Sequence, residues 1–198
     1  MGTLRVIGGS AKGLRLKTVP GDTTRPITDL VKEALFNILG DEISGSKVLD
    51  LFGGTGAVGI EALSRGAETA LFLEKSREAV RVIQENLRTT RLGEKAQVLH
   101  QDAFTFLAQA PASAFDLVYI APPQYKGMWQ KAMDLLDQQP GFLNRGGQII
   151  VQINPVEWEE RAYLHFTEFD SRKYGDTLLV FFEPNQAEND ITNSSRAS

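Results

Sequence analysis

Three acidic residues stand at the ends of three successive strand-like segments. Asp50 lies in Lys47–Leu51, Glu74 closes Thr69–Glu74, and Asp102 follows Ala96–His100. Parallel strands set such ends side by side, so the three carboxylates form a row where open α/β sheets hold their ligands. After the first strand the chain runs Val48–Leu–Asp–Leu–Phe–Gly–Gly–Thr–Gly–Ala–Val–Gly59. Glycines there let the backbone turn sharply and pass close to a ligand. Gly54 to Gly59 satisfies the G-x-G-x-x-G pattern formally, which also brings dinucleotides into view. Asp50 decides against them, because its charge repels a pyrophosphate and suits the cationic amino group of a methionine moiety. Glu74, about 20 residues past the glycines, can accept hydrogen bonds from both ribose hydroxyls. Asp102 can meet an adenine amino group. The expected ligand is S-adenosylmethionine, with Phe52, Gly53, Gly54, Thr55 and Gly56 of the turn, and Lys75 and Ala103 beside the acids, completing its contacts. The plain alternative is three solvated loop carboxylates. A nicotinamide oxidoreductase would also need a catalytic domain that the chain is too short to supply.

The elements that must position this row alternate. Strands are expected at Lys47–Leu51, Thr69–Glu74, Ala96–His100, Phe115–Ile120 and Gln148–Ile153. Helices are expected through Leu63, over Arg77–Leu92, near Ala103–Ala110 and over Met128–Leu136. Alternation of this kind implies a parallel sheet covered on both faces. Phe166–Tyr174 and Thr177–Phe182 read as a closing hairpin around Gly175–Asp176. Ahead of the sheet, Leu4–Gly9 and Gly13–Thr18 read as a small hairpin. Thr28 to Leu39 follows as a helix, with Thr28 as N-cap and Gly40 as stop. From Pro184 the chain is polar and rich in small residues, which reads as a disordered tail.

Composition bounds the chemistry. The chain has 198 residues, enough for one domain with a core and a small appendage. It has no cysteine and only His100 and His165, so no metal site is expected. No apolar run approaches the roughly 20 residues of a membrane span, and no secretory pattern opens the chain. A cytoplasmic, monomeric protein is expected. The net charge of −4 argues against a protein that coats nucleic acid. Charge is unevenly placed, however. Over the first forty residues Arg5, Lys12, Arg15, Lys17, Arg25 and Lys32 face only Asp22, Asp29 and Glu33. This is either a solvated basic hairpin or a patch that contacts phosphates.

Five segments together resemble the RsmD family, bacterial methyltransferases that modify N2 of a guanine in small-subunit ribosomal RNA. They are Arg5–Val–Ile–Gly–Gly9, Lys12–Gly–Leu–Arg–Leu16, Thr24–Arg–Pro–Ile–Thr–Asp29 running into Val31–Lys–Glu–Ala–Leu–Phe–Asn37, the glycine turn, and Lys173–Tyr–Gly–Asp–Thr177. The likeness reaches to about Glu183. It implies a Rossmann-like seven-stranded methyltransferase sheet with helices on both faces, its last strand antiparallel, and an N-terminal β-hairpin extension that helps engage RNA. It divides the chain into an extension (1–22), a catalytic domain (23–183) and a tail (184–198). It also implies that Arg25 lies near the cofactor, and that Arg5, Lys12, Arg15 and Lys17 contact ribosomal RNA or the small ribosomal subunit.

The resemblance has one departure. Enzymes of this kind carry Asp or Asn, then Pro-Pro, then an aromatic residue, after the fourth strand. A guanine amino lone pair is delocalised into the ring, and acceptors for its two N–H bonds hold it in line and favour its developing charge. The aromatic ring stacks on the base. Here the segment reads Ala121–Pro122–Pro123–Gln124–Tyr125. Ala121 accepts nothing, and the aromatic residue is displaced by one position. Pro122, Pro123, Gln124 and Tyr125 are the expected substrate-side residues, and Trp129 is a further ring that could stack. Three readings follow: Gln124 or a nearby group supplies the acceptor, the rate falls by about 10²–10³, or the chain binds without chemistry. An amino-methyltransferase acting on DNA or on protein glutamine is a further alternative, which the basic N-terminal region disfavours in its peptide form.

Overall fold

Among the described residues, 4–20 and 27–185 of a computed structural model, seven strands form one sheet. They are β1 (Lys47–Asp50), β2 (Thr69–Glu74), β3 (Ala96–His100), β4 (Phe115–Ile120), β5 (Leu143–Ile153), β6 (Phe166–Tyr174) and β7 (Thr177–Pro184). The helices between and before them are α1 (Asp29–Leu39), α2 (Ala57–Ser64), α3 (Arg77–Thr90), α4 (Ala103–Leu107) and α5 (Met128–Gln138). The strand order is β3-β2-β1-β4-β5-β7-β6. β1 to β5 are parallel, and β7 runs antiparallel to both its neighbours. The expected sheet and its antiparallel last strand are therefore present. β1 pairs with both β2 and β4, so the chain order reverses between β1 and β4 and opens a crevice at their carboxyl ends.

Local chemistry explains the helix ends. Thr28 caps α1, its hydroxyl accepting the Val31 N–H at 3.3 Å, and Gly40 ends it. Ser76 caps α3 in the same way, and the buried stripe Ala79, Val82, Ile83, Asn86, Leu87 and Thr90 recurs at helical spacing. Several boundaries differ from expectation. α3 stops at Thr90 and α4 at Leu107, α5 runs on to Gln138, and β7 reaches Pro184, where the tail is expected to begin. β5 starts at Leu143, because Leu143 pairs with Phe115 and the next pair is Leu117 with Gln148, so that extra residues of β5 around Gly146–Gly147 bulge from the ladder.

Both faces of the sheet are covered, which is why β4 is buried without a break from Leu117 to Ile120. On one face, Leu4, Val6 and Leu16 of the N-terminal arm join α1, α2 and Ile83 and Leu87 of α3 over Val48, Phe72, Leu117, Tyr119 and Ile150. On the other, α4, α5 and Trp158 pack over Leu49, Leu73, Val118, Ile120 and Val151. Trp129 belongs to this second core. It is 1% exposed and stacks on Trp158 at 5.3 Å, so it is not available to a base.

The N-terminal arm pairs as the expected small hairpin, but only over a short stretch. One antiparallel bridge, Arg5 to Arg15, is present, flanked by Val6 N–H to Leu14 O at 2.9 Å and Leu16 N–H to Leu4 O at 2.8 Å. Other backbone donors of the arm go to α2. The Glu61 carboxylate accepts the Ile7 and Gly8 N–H groups at 2.9 and 2.7 Å, and Ser64 Oγ accepts that of Ala11 at 2.9 Å. Gly9 makes this contact possible: its φ is +74°, and a Cβ there would sit 1.8 Å from the Ser64 carbonyl oxygen. Lys32, counted above with the basic patch, is wholly buried. It pairs with Glu61 at 3.5 Å and donates to the Arg5 carbonyl, and burial holds its pKa below the ordinary lysine value.

No helix among the described residues is long and apolar enough to cross a membrane. No group of three or more His, Asp or Glu among them is placed to hold a metal.

Candidate cofactor and substrate site

A cavity of about 800 Å³ opens at the carboxyl ends of β1, β2, β4 and β5. Asp50, Phe52, Gly53, Gly54, Thr55, Glu74, Lys75, Asp102 and Ala103 line one side of it, and Ala121 to Tyr125 line the other. Of the residues expected at the ligand, two stand apart. Gly56 does not line the cavity. It is the left-handed N-cap of α2, φ +77°, with Ile60 and Ile83 3.2 Å from where a Cβ would stand, so its role is to start the helix. Arg25 lies outside the described residues.

Each acid is held differently. Asp50 is 2% exposed, and one of its oxygens, Oδ1, has no hydrogen-bond partner. Loss of water pushes its pKa up to about 7, with the N–H groups of Phe52 and Gly59 drawing it partly back. Glu74 is half-buried. Its Oε2 accepts the Gly54 N–H at 2.9 Å and its Oε1 that of Ser76 at 2.7 Å, which ties the end of β2 to the glycine turn. Asp102 caps α4, Oδ1 accepting the N–H groups of Phe104 and Thr105 at 3.0 Å each. Beneath the turn, buried Asn86 accepts the Lys17 N–H at 2.7 Å and donates to the carbonyls of Lys17 and Thr55 at 3.0 and 2.9 Å.

These residues fit S-adenosylmethionine. A buried carboxylate oxygen with no partner is costly unless a cation or donor meets it, and an amino group does both. Glu74 beside the glycine turn offers acceptors for ribose hydroxyls. The row of acids disfavours a ligand with phosphates at the same place.

On the substrate side, Pro122 and Pro123 follow β4 directly. Tyr125 is 67% exposed and has a left-handed backbone, φ +61°. Its N–H donates to Glu157 Oε2 at 2.7 Å, while Glu157 Oε1 accepts the Asn154 N–H at 3.2 Å. A non-glycine residue held at positive φ is a strained feature that sites use to aim a side chain. Gln124 is exposed on the same loop.

Several cavity residues were not expected. Tyr119, Gln152 and Asn154 come from β4, from β5 and from just beyond it, and Tyr174 to Thr177 form the turn between β6 and β7. Gln152 carries a readable signal, a lone amide inside the apolar run Ile149–Ile153. The segment Lys173–Thr177 carried family likeness but no role.

The basic residues sit on the arm, away from the cavity walls. Lys12 and Arg15 are exposed, Arg5 pairs with Asp29 at 2.8 Å, and Lys17 pairs with Glu85 at 3.0 Å. Val19 and Pro20, where the arm ends, do line the cavity. Asp116 and the two histidines act structurally. Asp116 accepts the Lys47 N–H at 2.8 Å, His100 donates to the Lys75 carbonyl at 2.9 Å, and His165 to that of Asp137 at 2.7 Å.

Comparison with known proteins now bears on this geometry. A family model described as conserved hypothetical protein 95 matches residues 4–183. The ribosomal RNA small subunit methyltransferase D of Escherichia coli is 38% identical over 151 residues, 76% of this chain and 75% of that protein. The chain belongs to the RsmD family. YlbH of Bacillus subtilis is 41% identical over 151 residues, 75% of this chain and 82% of its own. Among solved structures, yhhF of Escherichia coli superposes with a TM-score of 0.82 at 31% identity, over 93% of this chain and 99% of that one. The match to the RsmD family model runs from the arm through to β7, so the arm belongs to the matched region and is not an addition to it.

Proposed function

We propose that the chain transfers a methyl group from S-adenosylmethionine to the N2 amino group of a guanine in small-subunit ribosomal RNA. The observation that carries this is the unpartnered, buried Asp50 Oδ1 at the end of a row of acids, in one cavity with the Pro-Pro-Gln-Tyr loop. When bound, S-adenosylmethionine supplies an electrophilic methyl group on sulfur. Asp50 holds its amino group, Glu74 its ribose and Asp102 its adenine edge. Pro122 offers its carbonyl to an N–H of the substrate amino group, and the exposed Tyr125 ring stacks on the base. Lys12 and Arg15 contact phosphates from the arm, whose end borders the cavity. The relatives named as small-subunit ribosomal RNA methyltransferases support this choice of substrate.

The test is transfer of labelled methyl from S-adenosylmethionine to small subunits, and to naked RNA, from cells lacking this protein. Label on guanine N2 is the expected result. No transfer to either, with DNA and protein also unlabelled, would refute it. Ala121 supports one second reading, a protein that binds cofactor and RNA without transfer. That reading predicts retained affinities and no label.

A further inference from the structure

We infer that Gln152 supplies the hydrogen-bond acceptor that Ala121 lacks, so that its amide oxygen contacts the exocyclic amino group of the substrate base. This rests on the methyl-transfer reading above. Sheet register carries the argument. Tyr119 pairs with Ile150 and Ile120 with Val151 in the parallel ladder of β4 and β5. One step further, Ala121 lies beside Gln152. Alternation puts both on one face: Tyr119 and Ile150 are buried in the core on that side, with Ala121 packed against it, whereas Ile120 and Val151 belong to the opposite core. Opposed side chains on one face of adjacent strands stand about 5 Å apart. An acceptor on Gln152 therefore reaches the space that an acid at position 121 would have occupied, and both residues line the cavity.

The amide is also held in place. The Tyr119 hydroxyl donates to Gln152 Oε1. Tyr119 is 3% exposed and is the register partner of Asp50, so the polar row runs from the cofactor end of β1 across β4 to β5. A carbonyl oxygen has two lone pairs, and Tyr119 takes one. The other is left for a donor, and Gln152 lines the cavity. Burial raises the Tyr119 pKa well above the ordinary tyrosine value, so its hydroxyl stays protonated and keeps donating.

Two other amides border the substrate side. Asn154 lies past the end of β5, two residues beyond the position level with Ala121, where its Oδ1 caps a short turn by accepting the Val156 N–H at 3.1 Å. Gln124 is exposed on the loop beyond the sheet, so ordering it costs rotamer freedom. Gln152 is half-buried and pinned. A neutral amide in place of a carboxylate also leaves the charge of Asp50, across Tyr119, undisturbed.

The test is single-turnover methyl transfer to small subunits lacking the modification, with cofactor affinity measured in parallel by calorimetry. Gln152→Met, of similar size, is expected to lower the rate about 10²-fold, as for removal of one transition-state acceptor, with cofactor affinity within about twofold of wild type. Ala121→Asp added to that variant is expected to restore at least about a tenth of the lost rate. The same change in the wild type is expected to gain less than about tenfold, because the acceptor is already there. Tyr119→Phe is expected to lower kcat by a smaller factor without moving KM, and Gln152→Glu to retain transfer. A Gln152→Met variant as fast as wild type, or one slowed but not rescued at position 121, overturns the inference while methyl transfer stands. So does loss of the rate in Gln124→Ala alone. If Gln152→Met does not fold, Gln152→Glu decides: loss of transfer with cofactor affinity kept overturns the inference. No transfer by the wild type to any substrate overturns both readings.

Discussion

At Asp50, stability and cofactor affinity oppose each other, and the structure gives the size of the conflict. Its carboxyl is 2% exposed, and its pKa lies near 7 against an ordinary 3.8, some three units higher. At about 1.36 kcal/mol per unit, ionising it in the folded chain costs on the order of 4 kcal/mol relative to the unfolded chain. The folded state keeps a proton that the unfolded state loses between pH 3.8 and about 7. Stability is therefore predicted to fall as pH rises through that window, with the full penalty present above it. A cation placed at the open Oδ1 draws the proton off again. Binding of S-adenosylmethionine near pH 6 should release close to one proton. Its affinity should climb towards tenfold per pH unit below 7 and level off above, until the ligand's own α-amino group, near pH 8, loses its charge. Asp50→Asn removes the titration. That variant should bind more weakly at pH 7.5, with affinity nearly flat from pH 5.5 to 7.5, and should unfold at higher denaturant than wild type at pH 8. Calorimetry in two buffers of different ionisation heat counts the protons, and urea unfolding at several pH values reads the stability. A wild-type affinity independent of pH, with no proton released, would refute the reasoning, as would an Asn variant that keeps the wild-type profile.

Other perturbations test other contacts. Glu74→Ala should weaken cofactor binding by about 1.5–3 kcal/mol and loosen the glycine turn, because Gly54 and Ser76 lose their acceptor as well; titration calorimetry reads it, and unchanged affinity would remove Glu74 from the site. Glu61→Ala strands buried Lys32 and two backbone donors of the arm, and should cost about 3–5 kcal/mol in urea unfolding. Replacing Lys12, Arg15 and Lys17 together by Gln should flatten the salt dependence of RNA binding by nearer two phosphate contacts than three, at about 0.7–0.9 in slope for each, because Lys17 already pairs with Glu85. Affinity for S-adenosylmethionine should stay unchanged in that variant, and an unaltered salt slope would mean that the arm contacts no phosphates.

The cavity lined by the three acids is legible in the sequence because its signals are local. Asp50 and Glu74 close strands and Asp102 follows a third by two residues, and parallel alternation brings the three together. A parallel sheet followed from that alternation, and the antiparallel last strand from the family likeness; the order β3-β2-β1-β4-β5-β7-β6 is visible only in the structure. The arm was read less well. Its ends pair with each other, but the N–H groups of Ile7, Gly8 and Ala11 go to Glu61 and Ser64, and nothing in the periodicity of residues 4–18 points to a partner more than fifty residues away. Lys32 misled for a related reason. A lysine next to Glu33 in a helix reads as surface until Glu61 is placed beside it. Trp129 could have stacked on a base or filled the core, and only the position of Trp158 decides.

The substrate half depends on register, which sequence spacing does not carry. Ala121 and Gln152 are thirty-one residues apart in the chain and become neighbours only because β4 and β5 pair as they do. A loss at one strand end and a polar residue inside the next apolar strand are unrelated oddities in one dimension. In the sheet they occupy one spot beside the cavity. The arm shows the same principle on a larger scale. Asn86 bonds to Lys17 at the end of the arm and to Thr55 in the glycine turn, so the surface proposed to hold RNA and the loop proposed to hold cofactor rest on one buried side chain. With its three bonds satisfied, Asn86 fixes the distance between the two, and that fixed distance is what presenting a bound base to a methyl donor requires.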